Sequence, residues 1–187
     1  MKEFFQRYSY ESVRLFLNQL AIGIFGSVLT LAAGMAKNNT LRLVTSIFAV
    51  VFFLFLQFSS AWRIGAEDRL SIDLGKRKKN LWVPFKIWLL SNSLSFLLAT
   101  FMALAFAFDG GFVDRMGSVA TVIKMIVDGM YAGILALNVN GIILNSQWYV
   151  HYLVSLPALA VIYASYICGL KNIAFGGLFS YNVNSSK

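Results

Sequence analysis

Leu41 to Trp62 reads LRLVTSIFAVVFFLFLQFSSAW, and after Arg42 it carries no charge. An α-helix rises 1.5 Å per residue, so about 20 apolar residues cross a hydrocarbon core of about 30 Å. Barrel strands would instead show short alternating segments, and this stretch does not alternate. Three further uncharged blocks match it: Leu15 to Ala36, Ile87 to Phe108 and Tyr149 to Leu170. The expected fold is all-α: one membrane domain over residues 1–187, built as a four-helix transmembrane bundle. Lys37-Asn38-Asn39-Thr40 makes a tight polar turn between the first two helices.

Composition points the same way. The chain is 58% hydrophobic and only 13% charged, against about 45–50% apolar and about 25% charged in soluble domains. A domain this small could not bury so much apolar surface in water. The first block exceeds the 7–15 apolar residues of a secretory signal, so it is read as a retained helix despite the Gly34-Met35-Ala36 triplet. The basic residues flank apolar blocks, which suits topology and anionic lipid better than nucleic acid.

The stretch Met116 to Leu144 is different. It holds Lys124 and Asp128, four residues apart and so able to pair on one helical face. Each would cost about 2.5–3.5 kcal/mol at mid-bilayer, and Gly129, Gly133 and Gly141 follow. An interfacial or re-entrant helix is expected here, between spans three and four. Twelve Lys and Arg then lie on the side of both termini and of the segment between the second and third blocks, and four (Lys37, Arg42, Arg115, Lys124) on the other. That bias places both termini in the cytoplasm of a plasma membrane. A full span over 116–144 would instead put the C-terminus outside. Trp62, Trp82, Trp88 and Trp148 sit at block ends, as headgroup-level anchors do.

Helices in lipid associate where small residues let backbones approach. Gly23, Gly26, Thr30 and Gly34 form such a stripe in the first block, Ser91, Ser95, Ala99 and Ala103 in the third, and Ala160 and Ala164 in the fourth. These three helices are expected to meet along the stripes. The second block carries Phe48, Phe52, Phe53, Phe55 and Phe58 instead, a surface for lipid or a partner subunit. Asn18, Gln19, Gln57 and Asn92 are read as amides that join helices by hydrogen bonds.

No metalloprotease, serine-hydrolase, phosphate-loop or redox-dithiol motif is present. No cofactor or metal site is implied, since the single histidine, His151, and the single cysteine, Cys168, stand apart from other ligands. None of the four blocks contains a carboxylate, which argues against an autonomous cation-coupled pump. Glu67, Asp68 and Asp73 are interleaved with Arg63 and Arg69, suggesting mutual neutralisation.

The loop after the second block carries the candidate contact residues Trp62, Arg63, Gly65, Asp68, Arg69, Lys76, Arg77, Lys78 and Lys79, with Phe52 and Phe55 in the helix before it. Its basic run should attract anionic headgroups at about 1 kcal/mol per residue. The Trp62-x-x-Gly65-x-x-Asp68-Arg69 pattern, with Pro157 and Tyr166-Ile167-Cys168-Gly169, resembles small bacterial polytopic membrane proteins that have no settled function. The likeness covers residues 40 to 175 and implies four spans and a bacterial plasma membrane.

Three functions fit. The first is a non-enzymatic subunit of a larger membrane assembly, in contact with other membrane proteins. The second is a small-molecule uptake component, whose mark would be a polar pocket near the Asn138 to Gln147 side. The third, weaker, is a lipid-modifying enzyme using Asp109, Asp114 and Asp128.

Overall fold

The computed structural model describes residues 2–108, 110–139 and 141–173. Asp109 and Lys187 therefore lie outside the described residues. The chain is mostly helical. Helices α1 (Lys2–Met35) and α2 (Asn39–Asp73) form an antiparallel hairpin. The Asn38 side chain caps α2 by accepting from the Leu41 amide at 3.0 Å. α3 (Val83–Ser91) and α4 (Ser93–Ala107) follow, then α5 (Gly111–Val127), a single tight turn at Gly129–Tyr131 and α6 (Ala132–Leu135). A two-stranded antiparallel ribbon pairs β1 (Asn138–Val139) with β2 (Ile142–Ile143). α7 (Val150–Leu153) and α8 (Leu156–Leu170) end the described chain.

Among the described residues three stretches are long and apolar enough to cross a membrane: Phe4–Met35, Asn39–Asp73 and Val150–Leu170. Two bent pairs bring the number to five if each counts as one span: α3 with α4, at 58°, and α5 with Gly129–Leu135, at 85°. The third expected block is thus not one straight helix. The bend falls at Asn92, whose side-chain amide turns back on the Trp88 carbonyl of its own helix at 3.0 Å. This corrects the expectation that Asn92 joins neighbouring helices. Asn18 and Gln57 do cross, donating to Ser60 Oγ (3.5 Å) and to the Leu15 carbonyl (3.4 Å) respectively.

The stretch expected to leave the helix at Arg63 stays helical for another turn and more. α2 runs on to Asp73, supported by Arg63–Glu67 (3.7 Å) and Arg69–Asp73 (3.4 Å) pairs at four-residue spacing. It stops where Gly75 takes a positive φ of 68°, with the Lys76 amide closing on the Ser71 carbonyl.

Packing departs from the expected stripes. α2 lies at the centre, against α1 on one side and α8 on the other. α8 meets it through Ala158, Ile162, Ser165 and Gly169, while Ala160 and Ala164 face outward. The reason is the Gly65–Gly169 crossing: a Cβ on Gly65 would strike the Tyr166 carbonyl, and one on Gly169 the Trp62 carbonyl. Only glycine lets these two backbones come so close. Gly23 and Gly26 are packed against the Ile126–Met130 backbone, and Gly34 faces open space. Thr30, Ser91, Ser95 and Ala99 are buried, and Ala103 is half-buried.

The aromatic face of α2 also divides. Phe53 is in the core, edge-on to Tyr131, whereas Phe48, Phe52 and Phe55 are exposed. Outward-facing Val13, Leu17, Ile24, Val28 and Leu31 continue an apolar belt along α1.

Candidate functional site

Two polar networks are buried in this apolar molecule. The first is built on the α5 turn. Lys124 Nζ lies 2.5 Å from Asp128 Oδ2, the ion pair expected from the four-residue spacing. Both side chains are only 4% exposed. Asp128 also accepts from Ser95 Oγ of α4 at 2.6 Å and from Gln19 Nε2 of α1 at 2.8 Å. Lys124 donates further to Ser95 Oγ (2.7 Å) and to the Ser95 carbonyl (3.3 Å). Gln19 stands near the middle of α1, roughly 25 Å from either end at 1.5 Å per residue. The charged pair is thus held level with the middle of α1, by elements distant in sequence.

Small residues put it there. The turn after α5 presses Gly129 onto Ser27 and Gly23 of α1, and Gly133 onto Arg42 and Ser46 of α2. Ser46 Oγ accepts from the Gly133 amide at 2.7 Å. Each of these backbone groups would lack a partner in lipid, and the glycine contacts with α1 and α2 keep them inside protein.

A cavity of about 270 Å³ opens beside the pair. Arg42, Thr121, Lys124, Asp128, Asn145 and His151 supply its polar lining, with Met102, Leu135 and Ile143 among the apolar walls. His151, which stands apart from other ligands in the sequence, is buried, with Nε2 3.2 Å from the Asn145 carbonyl. The turn at Leu144–Ser146 packs on α7 and brings the Asn145 carbonyl to the ring, which hydropathy of the block could not show. His151 Nδ1 and Arg42 Nε are both buried without a hydrogen-bond partner among the described residues. Buried polar atoms are rarely left so, and here both belong to residues that line the cavity.

The second network lies at the end of the bundle that carries the α2 C-terminus. Asp68 is buried and accepts from Arg7 Nη2 (2.9 Å), Tyr8 Oη (2.6 Å) and Tyr166 Oη (2.8 Å). Arg7 also reaches Ser71 Oγ at 2.9 Å, and Arg77 Nη1 donates to Tyr8 Oη at 3.1 Å. Asp68 therefore ties α1, α2 and α8 together rather than neutralising Arg69 beside it. Gly65 and Asp68, read as contact residues, both point inward. Arg63 bridges to Glu11 of α1 (2.7 Å), and Trp62 Nε1 donates to the Ile173 carbonyl (2.9 Å). Lys76, Lys78 and Lys79 are exposed in the stretch that follows α2.

Of the residues singled out from sequence, Lys124 and Asp128 are brought together. Arg42, His151, Asn145 and Ser95 join them only through the fold. The charge on Arg42 at a block edge was the one visible hint of a role beyond topology. Comparison with family models, with curated proteins and with solved structures returns no match, so no family is assigned.

Proposed function

We propose that this chain is a non-enzymatic multi-pass membrane protein that holds a small anionic solute in the cavity beside Lys124 and Asp128. It would serve as the solute-binding subunit of an uptake assembly. The observation that carries this reading is the cavity itself. It opens next to a buried ion pair and reaches toward Arg42 near the start of α2, with Arg42 Nε and His151 Nδ1 buried and without a hydrogen-bond partner among the described residues. Ionisable groups at membrane depth that face a cavity commonly mark a solute path. Irregular backbone at that depth is tolerated where it lines such a cavity, and broken helices around a central site recur in transporters.

Charge selects the class of solute. Lys124 and Asp128 cancel, leaving Arg42 as the uncompensated charge of the lining, so a carboxylate or a similar small anion fits. The volume lies below the range of about 300–1,000 Å³ of drug-sized ligand sites, which favours a metabolite-sized molecule. The positive-inside bias supports a plasma-membrane orientation with the Asp68 end in the cytoplasm and the cavity toward the outer half. Four spans, with 111–135 as a re-entrant element, are part of the same reading. Exposed Phe48, Phe52 and Phe55 on α2 offer lipid or a second membrane subunit an apolar face.

Purification in mild detergent followed by native mass spectrometry tests the proposal. A small anion retained by the wild-type chain and lost from Arg42→Gln, with the melting curve unchanged, is the expected result. A chain that carries partner proteins but no solute would overturn solute binding and favour a purely accessory subunit.

A further inference from the structure

At the Asp68 end a second cavity, of about 420 Å³, is lined by Lys76, Arg77, Lys78 and Lys86. Among the described residues none of these four cations is ion-paired. The one carboxylate in the lining is Asp68, and it is already answered by Arg7, Tyr8 and Tyr166. The cavity therefore carries a surplus of positive charge that no ion pair among the described residues balances.

Two of the cations are held at its wall by aromatic rings. The Arg77 guanidinium lies 5.8 Å from the Tyr8 ring centre, and Lys86 Nζ lies 5.7 Å from that of Phe4. Cation–ring contacts fix a charge without neutralising it. Four like charges around one hollow repel one another, and a bound dianion would relieve that repulsion. Phe4, Ile72 and Val83 complete the lining on the apolar side.

We infer that this cavity is a binding site for a phosphate monoester. A phosphate carries about −1.5 to −2 charges near neutral pH and three acceptor oxygens, which suits several lysines and one arginine converging from different directions. The group could come from a lipid headgroup, with its glycerol end against Phe4 and Val83, or from a soluble organic phosphate. The site is separate from the Arg42 cavity and does not depend on it.

The distinction from a merely basic loop lies in Lys79. It belongs to the same run but is not part of the lining. The full chain would be placed in nanodiscs of phosphatidylcholine with and without phosphatidic acid, and bound lipid counted by native mass spectrometry. Glycerol 3-phosphate is then added as a competitor. The expected result is a preference for phosphatidic acid that falls about fivefold in each of Lys76→Gln, Lys78→Gln and Lys86→Gln. Lys79→Gln should leave it unchanged, and Lys78→Arg should retain it. Displacement by glycerol 3-phosphate identifies a site that takes soluble phosphates, and its failure identifies a lipid site. Equal loss in Lys79→Gln, or no preference for phosphatidic acid over phosphatidylcholine together with no binding of glycerol 3-phosphate, would overturn the inference.

Discussion

Asp128→Asn is the most informative single change to this fold. The amide keeps nearly the same shape and can still meet Gln19 and Ser95, but it leaves Lys124 charged and unpaired. The cost depends on where that ammonium sits. A solvent-exposed pair at four-residue spacing is worth about 0.3–0.5 kcal/mol. Removing one partner of a buried pair costs about 3–5 kcal/mol, because the remaining charge has lost its compensation. With both side chains 4% exposed, the buried case applies. Soluble-protein scaling for a chain of this size is about 2–4 °C per kcal/mol, so the melting temperature should fall on the order of 6–20 °C. Thermal unfolding in detergent measures this directly. The companion Lys124→Met/Asp128→Asn removes both charges and should recover most of the loss, since a buried pair can often be replaced by uncharged residues of similar volume. A single variant within about 1 kcal/mol of wild type, or a double variant no better than the single, would refute burial of the pair as the source of the effect.

Three other changes test the packing and the Asp68 network. Gly65→Ala should lower stability by about 1–3 kcal/mol through forced separation of α2 and α8, whereas Gly34→Ala, which faces open space, should cost nothing; thermal melts of the two decide it. Tyr8→Phe should cost about 1.5–3 kcal/mol by removing a donor to a buried carboxylate, with a smaller further loss when Tyr166→Phe is added if the two share Asp68, as a double-mutant cycle will report. Ser46→Ala should cost about 1–3 kcal/mol by leaving the Gly133 amide without an acceptor, and hydrogen exchange at Gly133 should rise in that variant while exchange in α8 does not.

Much of the architecture was legible in the residues because it rests on local quantities. Runs of uncharged residues longer than a bilayer is thick declare themselves one residue at a time, and Lys124 and Asp128 stand four apart on any helix that contains them. The end of α2 is also legible in the residues. The pairs Arg63–Glu67 and Arg69–Asp73 support helix beyond the apolar block, and the first stop signal is Gly75. Hydropathy reports where a helix leaves lipid, which is a different place from where the helix ends. The small-residue stripes were a weaker guide, since spacing locates a smooth face without saying what covers it. Ala160 and Ala164 have such a face and turn it outward, while Gly65 and Gly169, each in a less regular setting, make the crossing.

What the residues alone determine is therefore the apolar helices, the basic end and the ion pair, each set by composition or by spacing within one helical turn. The meetings across the chain were decided by tertiary structure alone. Gln19 reaches Asp128, Tyr8 and Tyr166 converge on Asp68, and Arg42 shares a cavity with His151. Such contacts join residues far apart in sequence, and their formation depends on helix crossings that a few glycines permit and on the bends at Asn92 and Asp128. The charge surplus at the basic end was written in the sequence; that it lines a half-open cavity, with Lys79 left out of the lining, was not, because which residues line a hollow is decided by how the helices pack.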